Sequence, residues 1–260
     1  MRRNLKPVPY KAVGAVLLFV CLMALLGTGQ ALAKSKVLSI ELAFDHIDVT
    51  SGFSGAQIEV FGHRRDKYTD VAIVVTGPEK NITVWRKARI LGAWINRYAV
   101  RFRKMPLYYG YAVGDGEVFN DKQLMKSSGI GLDSLIAGKA ELKNPSINAT
   151  NHEQALISSM QAEHVYPVEP LKINYINDYF FRTHFLLPAN APTGTYKIRS
   201  FLFKEGKLAE TDIDTLKVEQ VGLNAFIYGA AHKHEALYGI FCVVLALISG
   251  WFVGILRIRP

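Results

Sequence analysis

The stretch Leu187-Pro-Ala-Asn-Ala-Pro-Thr-Gly-Thr-Tyr196 decides the fold class. Gly194 and Tyr196 stand at the start of the penultimate predicted strand, which is typical of a tyrosine corner in immunoglobulin-like sandwiches, where the phenol bonds back to the backbone. An ordinary turn followed by a half-buried tyrosine is the alternative. Many short strands separated by turn residues indicate a sandwich in either case.

The remainder of the segment 34–220 has the same character. Short runs rich in Val, Ile, Tyr and Phe, separated by Gly, Pro, Asn and Asp, predict strands near 37–43, 46–50, 56–62, 70–76, 81–89, 94–103, 107–113, 179–187, 195–203 and 208–218. Glu205-Gly206 is predicted to form the last hairpin turn. Over about 114–170 the hydrophobic period changes, which predicts a helical insertion with Asn151 as an N-cap. We expect a mainly β, immunoglobulin-like β-sandwich with a helical insertion; two small β domains are the alternative.

The C-terminal segment 236–256 is apolar and contains no charged side chain. At about 1.5 Å per residue it covers a hydrocarbon core about 30 Å thick, so it predicts one transmembrane helix. Arg257 and Arg259 follow at once, and cations beside a span favour the cytoplasmic side. The tail 257–260 is therefore predicted to lie in the cytoplasm. The preceding segment 221–235 is predicted to be juxtamembrane, either as an interfacial helix or as the start of the span.

The N-terminus has the pattern of an export signal. Four cations precede an apolar run over 12–26, and Ala31-Leu32-Ala33 has the small-x-small form of a cleavage site. We predict a cleaved signal peptide over 1–33; an uncleaved anchor is the alternative. Both ends then agree on a single-pass protein of the cytoplasmic (inner) membrane, with the domain 34–220 in the periplasm.

Composition excludes several function classes. Cys21 lies in the predicted signal and Cys242 in the predicted span, so the domain has no cysteine for a disulfide or for thiol catalysis. The chain carries +9, the four cations of the signal reduce this to +5 when removed, and setting aside Arg257 and Arg259 leaves +3. This charge gives no indication of nucleic-acid binding.

Motifs for catalysis and metal binding are missing from the sequence. There is no Gly-x-Ser-x-Gly, no phosphate-binding glycine loop and no His-Glu-x-x-His. Of the seven histidines only His232 and His234 are closely spaced. We therefore expect no cofactor, no metal site and no enzymatic activity.

One stretch stands out as a candidate binding site. Between Lys80 and Asp115 there are seven cationic side chains and no carboxylate: Arg86, Lys87, Arg89, Arg97, Arg101, Arg103 and Lys104. On an alternating strand, Arg97, Arg101 and Arg103 share one side, and the planar guanidinium group matches oxyanions. Trp85, Trp94, Tyr108 and Tyr109 are predicted to frame this anion or partner site. The alternative is a solvated strand face.

Several stretches together resemble the transmembrane protein family described in alphaproteobacteria. These are 71–79, 84–87, 92–96, 100–103 and 106–109, together with Gly52-Phe-Ser-Gly55, Phe61-Gly62, 187–190, 194–196, 237–239 and Gly250-Trp251. The resemblance covers nearly all of the mature chain and departs at Trp85, where a basic residue is expected. It implies an accessory role in a bacterial periplasm beside a permease of the sulfite-exporter type. It names no catalytic or binding residue.

These observations together give an expected function. The leading hypothesis is a membrane-anchored periplasmic accessory or interaction protein, in its most specific form an anion-sensing subunit of a sulfite or organosulfur transporter. Its expected partners are an inner-membrane permease or another membrane protein and the lipid bilayer. A structural or assembly protein without a small ligand is the alternative, and a periplasmic enzyme ranks third.

Overall fold

The computed structural model describes residues 37–90, 92–142, 148–222, 231–233 and 235–257. The predicted signal peptide over 1–33, most of the juxtamembrane segment and the tail after Arg257 lie outside these residues. Within the described ranges the chain is mainly β, as expected. The strands are β1 (Leu38–Leu42), β2 (His46–Val49), β3 (Gly55–Arg64), β4 (Thr69–Thr76), β5 (Glu79–Ile90), β6 (Ala93–Pro106), β7 (Tyr109–Val113), β8 (Ala140–Leu142), β9 (Leu171–Lys172), β10 (Asn174–Tyr175), β11 (Phe180–Pro188), β12 (Gly194–Lys204) and β13 (Lys207–Gln220).

The strands form three sheets. A four-stranded sheet has the order β1-β3-β11-β10, and a six-stranded sheet has the order β2-β13-β12-β4-β7-β9. The third sheet, β5-β6-β8, is built on the long hairpin of β5 and β6. Most strand pairs are antiparallel, whereas β2 joins β13 and β9 joins β7 in parallel.

The two larger sheets share one hydrophobic core. Leu38, Val60 and Phe185 from the four-stranded sheet, and Ile73 and Ile198 from the six-stranded sheet, are fully buried in one cluster. Alternating inward side chains from two sheets are how a β-sandwich buries apolar area. The fold is therefore the β-sandwich that the sequence predicts.

Two carboxylates join the first strand to the last. The backbone N–H groups of Val37 and Leu38 donate to Glu210 Oε2 at 2.9 and 3.1 Å, and Ile40 N–H donates to Asp212 Oδ2 at 3.4 Å. Donors on an edge strand that would otherwise be unpaired are satisfied in this way. The sandwich is closed along this side by side-chain acceptors.

The corner before β12 is built around Tyr196. This residue is fully buried, and its hydroxyl donates to the carbonyl oxygen of Pro192 at 2.7 Å. Burial raises the pKa of the phenol, so it remains a donor at neutral pH. Gly194 has φ +141°, and a Cβ there would lie 2.6 Å from Pro78. This arrangement is that of a tyrosine corner.

The hairpin between β12 and β13 turns at the predicted pair. Glu205 has φ +52° and Gly206 has φ +73°. A two-residue turn with positive φ at both positions is type I′, whose twist matches that of the flanking strands. The prediction of the turn at Glu205-Gly206 is therefore confirmed.

The region between β7 and β9 contains a 3-10 helix over Glu117–Asn120 and three helices, α1 (Lys122–Ser127), α2 (Leu132–Ile136) and α3 (Thr150–Ala162). The prediction of Asn151 as an N-cap is wrong, because α3 starts earlier and its N-cap is Ala149. The side chain that accepts there is Asn148, whose Oδ1 takes the Thr150 N–H at 2.9 Å. The region also contains β8, which helical periodicity did not predict.

The C-terminal helix α4 (Glu235–Arg257) contains a candidate membrane span over Glu235–Gly254 with a mean hydropathy of 2.3. None of that window is buried against the rest of the chain. A long apolar helix without protein packing matches a lipid-facing span.

Prediction of corner stability. Replacing Tyr196 with Phe removes the hydroxyl bonded to Pro192 while keeping the buried ring. We expect the unfolding free energy to fall by about 1 kcal/mol, the net contribution of one such hydrogen bond. Urea denaturation of the full chain in detergent, followed by near-ultraviolet circular dichroism, measures this. Tyr68→Phe is the control, since Tyr68 is 79% exposed; an equal effect in both variants would contradict the role of the corner.

Candidate interaction surface

The hairpin of β5 and β6 carries most of the sequence-predicted site residues, and its register defines two faces. Residues opposite each other in an antiparallel pair project to the same face of a sheet. On one face, Ile82 pairs with Phe102 and Val84 with Val100. We call this the inner face, because Val100 and Phe102 are fully buried in the core.

Helix α3 supports the hairpin at Tyr98, which pairs with Arg86 on the turn side of the hairpin's middle. It contacts β5, and its buried His152 places Nε2 3.3 Å from the carbonyl oxygen of Tyr98 on β6. The other ring nitrogen, Nδ1, lies 3.4 Å from the carbonyl oxygen of Asn148. A buried polar ring between two carbonyl groups fixes the hairpin on the insertion.

The outer face, opposite to the inner face, carries cationic side chains and both tryptophans of the hairpin. The cross-strand pairs there are Thr83 with Arg101, Trp85 with Ala99, Lys87 with Asn96, and Arg89 with Trp94. Trp85 is 53% exposed and Trp94 is 69% exposed. The structure therefore brings Lys87, Arg89 and Arg101 onto one surface with both tryptophans.

One irregularity interrupts the predicted row of arginines on β6, and a second follows its end. Arg86 pairs with Tyr98 and Lys87 with Asn96, so Arg97 has no partner on β5 and is the extra residue of a bulge. Arg86 shares the inner face with Tyr98. Further along, Lys104 has φ +47° at a second register shift. The expected alternation of Arg97 with Arg101 and Arg103 is therefore broken at Arg97.

Arg103 has a carboxylate partner from outside the basic stretch. Strand β8 pairs with β6 and sets Glu141 opposite Arg101. Arg103 donates from Nε to Glu141 Oε2 at 2.8 Å and from its terminal nitrogen to Oε1. This two-point contact raises the pKa of Arg103. An acid 38 residues away in sequence thus enters a surface that the local sequence shows as purely cationic.

The base of the hairpin holds a further lysine. Lys139 Nζ donates to the carbonyl oxygen of Lys104 at 2.9 Å, which occupies an acceptor at the second bulge. Partial burial lowers the pKa of Lys139. The local sequence of the basic stretch gave no sign of this residue, which comes from the insertion.

Tyr108 and Tyr109 do not frame the cationic face, which corrects the expectation for these two residues. Both are buried, 4% and 1% exposed, because the chain passes from β6 into the six-stranded sheet at this point. Tyr108 donates its hydroxyl to Leu186 O at 3.0 Å, and Tyr109 accepts the Gly131 N–H at 2.9 Å. Tyr108 instead joins the start of β7 to β11 of the opposite sheet, and Tyr109 joins the six-stranded sheet to the helical insertion.

Both tyrosines line a cavity of about 730 Å³ that the sequence did not predict. It opens beside β11, between Gly55 and the segment around Tyr166. Strand β11 is paired with β10 only at Phe181 and Arg182, and beyond these residues β9 approaches the same edge, where the Thr183 hydroxyl donates to Lys172 O at 3.4 Å. Its lining is mainly apolar, and the described lining residues include no Lys or Arg.

No group of three or more potential metal ligands occurs among the described residues. A close His–carboxylate pair on the surface is exposed: His46 Nδ1 lies 2.6 Å from Asp45 Oδ1, and this contact raises the pKa of His46. Neighbouring residues on an exposed strand give no enclosed ligand set.

A β-sandwich followed by an unburied apolar helix defines a membrane-anchored protein with a β domain. The sequence matches the model of the family described as "Putative transmembrane protein (Alph_Pro_TM)" over residues 37–259. The chain belongs to this family, and the sequence-based resemblance is confirmed. No curated protein matches the sequence.

Solved structures give distant similarities. A chain described under "Structural basis of T cell specificity and activation by the bacterial superantigen toxic shock syndrome toxin-1" has a TM-score of 0.26 and 5% identity, covering 71% of this chain and 99% of that one. VCBP3 domain 1 from Branchiostoma floridae has a TM-score of 0.25 and 9% identity, covering 72% of this chain and 96% of that one. The CooA pilin subunit from enterotoxigenic Escherichia coli has a TM-score of 0.22 and 9% identity, covering 71% of this chain and 97% of that one. The description of the fold rests on this chain's own strands and sheets.

Prediction for the Arg103–Glu141 pair. Glu141→Gln removes the carboxylate that neutralises Arg103 and leaves the outer face more cationic. We expect the full chain in detergent to elute from a cation exchanger at higher salt than Glu205→Gln, which removes the same charge from the β12–β13 turn. Exposed charges attract an oppositely charged matrix most strongly where they are clustered. Equal elution of the two variants would contradict the neutralising role of Glu141.

Proposed function

We propose that this chain is a membrane-anchored accessory protein that binds an acidic surface of a membrane partner through the outer face of the hairpin. The observation that carries the proposal is the register of β5 and β6. It sets Lys87, Arg89 and Arg101 on one exposed surface beside Trp85 and Trp94. Arginine and tryptophan are enriched where proteins bind each other.

The shape of the outer face favours a macromolecular partner over a small anion. A small oxyanion is held by donors that converge in a concave site. The outer face is an exposed strand surface, and alternate residues along it are about 7 Å apart. Cations spaced in this way suit an extended acidic surface better than a single ion. Glu141 lies on the same surface, where its two oxygens accept from Arg103 and neutralise that cation.

The partner we propose is an inner-membrane permease. This follows from the family resemblance, which implies an accessory role beside a permease of the sulfite-exporter type. Anchoring by α4 supports the proposal, because it confines the sandwich to the surface of a bilayer and raises the local concentration of any partner in that bilayer. The anion-sensing form of the function is a second candidate, favoured by the guanidinium groups of Arg101 and Arg103. A purely structural role in a membrane complex is the third.

Prediction of topology. The proposed arrangement has the sandwich in the periplasm and the C-terminus in the cytoplasm, since Arg257 and Arg259 follow the span. A reporter active only in the periplasm should be active when fused after Gly222 and silent when fused after Pro260. Reporter activity measured in cells checks both fusions. The reverse pattern would overturn the proposed orientation, and a mature protein that still begins at Met1 would overturn the cleaved signal.

Prediction of partner binding. The double change Arg101→Gln and Arg103→Gln removes two charges from the outer face while keeping polar side chains of similar reach. We expect the amount of permease that copurifies with the full chain in mild detergent to fall by at least about fivefold, because each lost charge contact costs about 1 kcal/mol or more. Quantitative mass spectrometry of the purified complex measures this. The matched control, Lys197→Gln with Lys207→Gln, removes two exposed lysines from β12 and β13.

The same variants separate the candidate functions. If the hairpin senses a small anion, calorimetry on the full chain should show sulfite or sulfate binding to the parent and not to the Arg101/Arg103 variant. If it binds a partner, the anions bind neither protein and only copurification changes. Copurification and anion binding that are both unchanged would contradict a functional role for the outer face.

A further inference from the structure

We infer that the tip of the hairpin, defined as residues 86–90 and 92–97, inserts its exposed apolar side chains into the headgroup region of the bilayer that holds α4, with its cations on anionic phospholipid headgroups. The inference goes beyond the proposed function, because its ligand is lipid. Lys87, Arg89 and Trp94 belong both to the tip and to the outer face, whereas Arg101 and Arg103 lie outside the tip. It rests on membrane anchoring, and not on the identity of any protein partner.

The first observation is an apolar end that is exposed to solvent. The last pairs of the hairpin are Arg89 with Trp94 and Ile90 with Ala93. Trp94 is 69% exposed and Ile95 is 43% exposed. Exposed tryptophan and isoleucine at the end of a projecting hairpin are costly in water. Tryptophan has its most favourable environment at the boundary between headgroups and acyl chains.

The second observation is the distribution of charge around that end. Arg86, Lys87 and Arg89 precede it on β5 and Arg97 follows it on β6, and the described residues of the tip include no carboxylate. Each cation near an anionic membrane strengthens partitioning by about fivefold, the equivalent of about 1 kcal/mol. In an anionic bilayer a layer of negative headgroups covers an apolar core. An apolar end bordered by cations therefore has the complementary arrangement.

The arrangement of these cations favours a lipid surface over a protein surface. Arg86 shares the inner face with Tyr98, Lys87 and Arg89 lie on the outer face, and Arg97 is at the bulge. The charges therefore surround the tip on more than one side. A plane of headgroups contacts all sides of an inserted tip, whereas a protein partner of standard size covers one face with about 800 Å². Two strand ends of about five residues each do not offer one face of that area.

Because α4 tethers the sandwich to the bilayer, a weak insertion energy is enough to keep the tip in the headgroup region. Strand β13 ends at Gln220 and α4 begins at Glu235, so a short segment connects the sandwich to its span. Binding of the tip to the same bilayer is then intramolecular, with an effective concentration set by that segment. Screening by salt acts over about 8 Å at physiological ionic strength, so the contact is predicted to be salt-sensitive.

Prediction of tip insertion. The full chain with Trp85→Phe and Trp251→Phe keeps Trp94 as its single tryptophan. It is reconstituted into vesicles of phosphatidylcholine, or of equal parts phosphatidylcholine and phosphatidylglycerol, in which the acyl chains are brominated near the headgroup. We expect quenching of Trp94 to be at least about twofold stronger with phosphatidylglycerol, because four cations then add to the apolar contact. Added salt in the same sample should reverse the increase.

Two further proteins make the result decisive. Tyr68→Trp in a chain with Trp85, Trp94 and Trp251 all changed to Phe carries a tryptophan at an exposed site at the opposite end of β4 from the start of β5, and it should be quenched weakly in both vesicles. Changing Arg86, Lys87, Arg89 and Arg97 to Gln should abolish the effect of phosphatidylglycerol on Trp94. Quenching of Trp94 no stronger than that of the tryptophan at position 68 would overturn the inference.

A protein ligand at the tip gives a different result. Trp94 would then be unaffected by lipid composition and would change its emission only when other inner-membrane proteins are reconstituted with it. That outcome would overturn the lipid inference and leave the outer face available as a partner site. Loss of copurification in the Arg101/Arg103 variant tests the proposed function separately, since the vesicle assay contains no other protein.

Discussion

The structure depends on burying both sides of one strand. In β4, the five residues from Val71 to Val75 are all fully buried. Successive side chains alternate between faces, so Val71, Ile73 and Val75 pack toward the four-stranded sheet while Ala72 and Val74 face the other way. A single sandwich layer would cover only one of these sides. The helices between β7 and β9 cover the second side, where Phe119 packs edge-on against Phe203 of β12. The helical insertion is therefore required by the hydrophobicity of β4, and the molecule has three layers as a result.

Periodicity in the sequence predicted those parts of the fold in which a pattern repeats. The long strands, the Glu205-Gly206 turn and the C-terminal helix each have enough residues to show a period or a turn signature. Strands β8, β9 and β10 have three, two and two residues, which is too short for any alternation to be recognised. They form because neighbouring strands present free backbone groups, and this is a tertiary effect. Asn151 was predicted as the N-cap from residue type alone, although the chain starts the helix earlier and uses Asn148.

The candidate site was predictable in composition but not in geometry. The cations and tryptophans of the hairpin are adjacent in sequence, so a basic aromatic surface could be inferred directly. The boundary of this surface could not be inferred from the sequence, because Glu141 reaches Arg103 from β8 and the chain leaves the hairpin at Pro106. Tyr108 and Tyr109 follow so closely in sequence that proximity alone assigns them to the same surface, yet they belong to the core of another sheet. The bulge at Arg97 is likewise invisible in the sequence, since no glycine or proline marks it.

The hydrogen bonds from the N–H groups of Val37, Leu38 and Ile40 to Glu210 and Asp212, here called the carboxylate seam, affect how the chain folds. The seam joins residues 172 and 173 positions apart, so the first strand to be synthesised is completed by the last. Contacts at such separation close slowly, because the entropy of a long loop is lost before the contact is gained. A nascent chain that lacks β13 has no acceptors for the N–H groups of Val37, Leu38 and Ile40. The sandwich is thus a late, all-or-none product of synthesis, and a chain truncated anywhere before Glu210 leaves an open edge that invites aggregation.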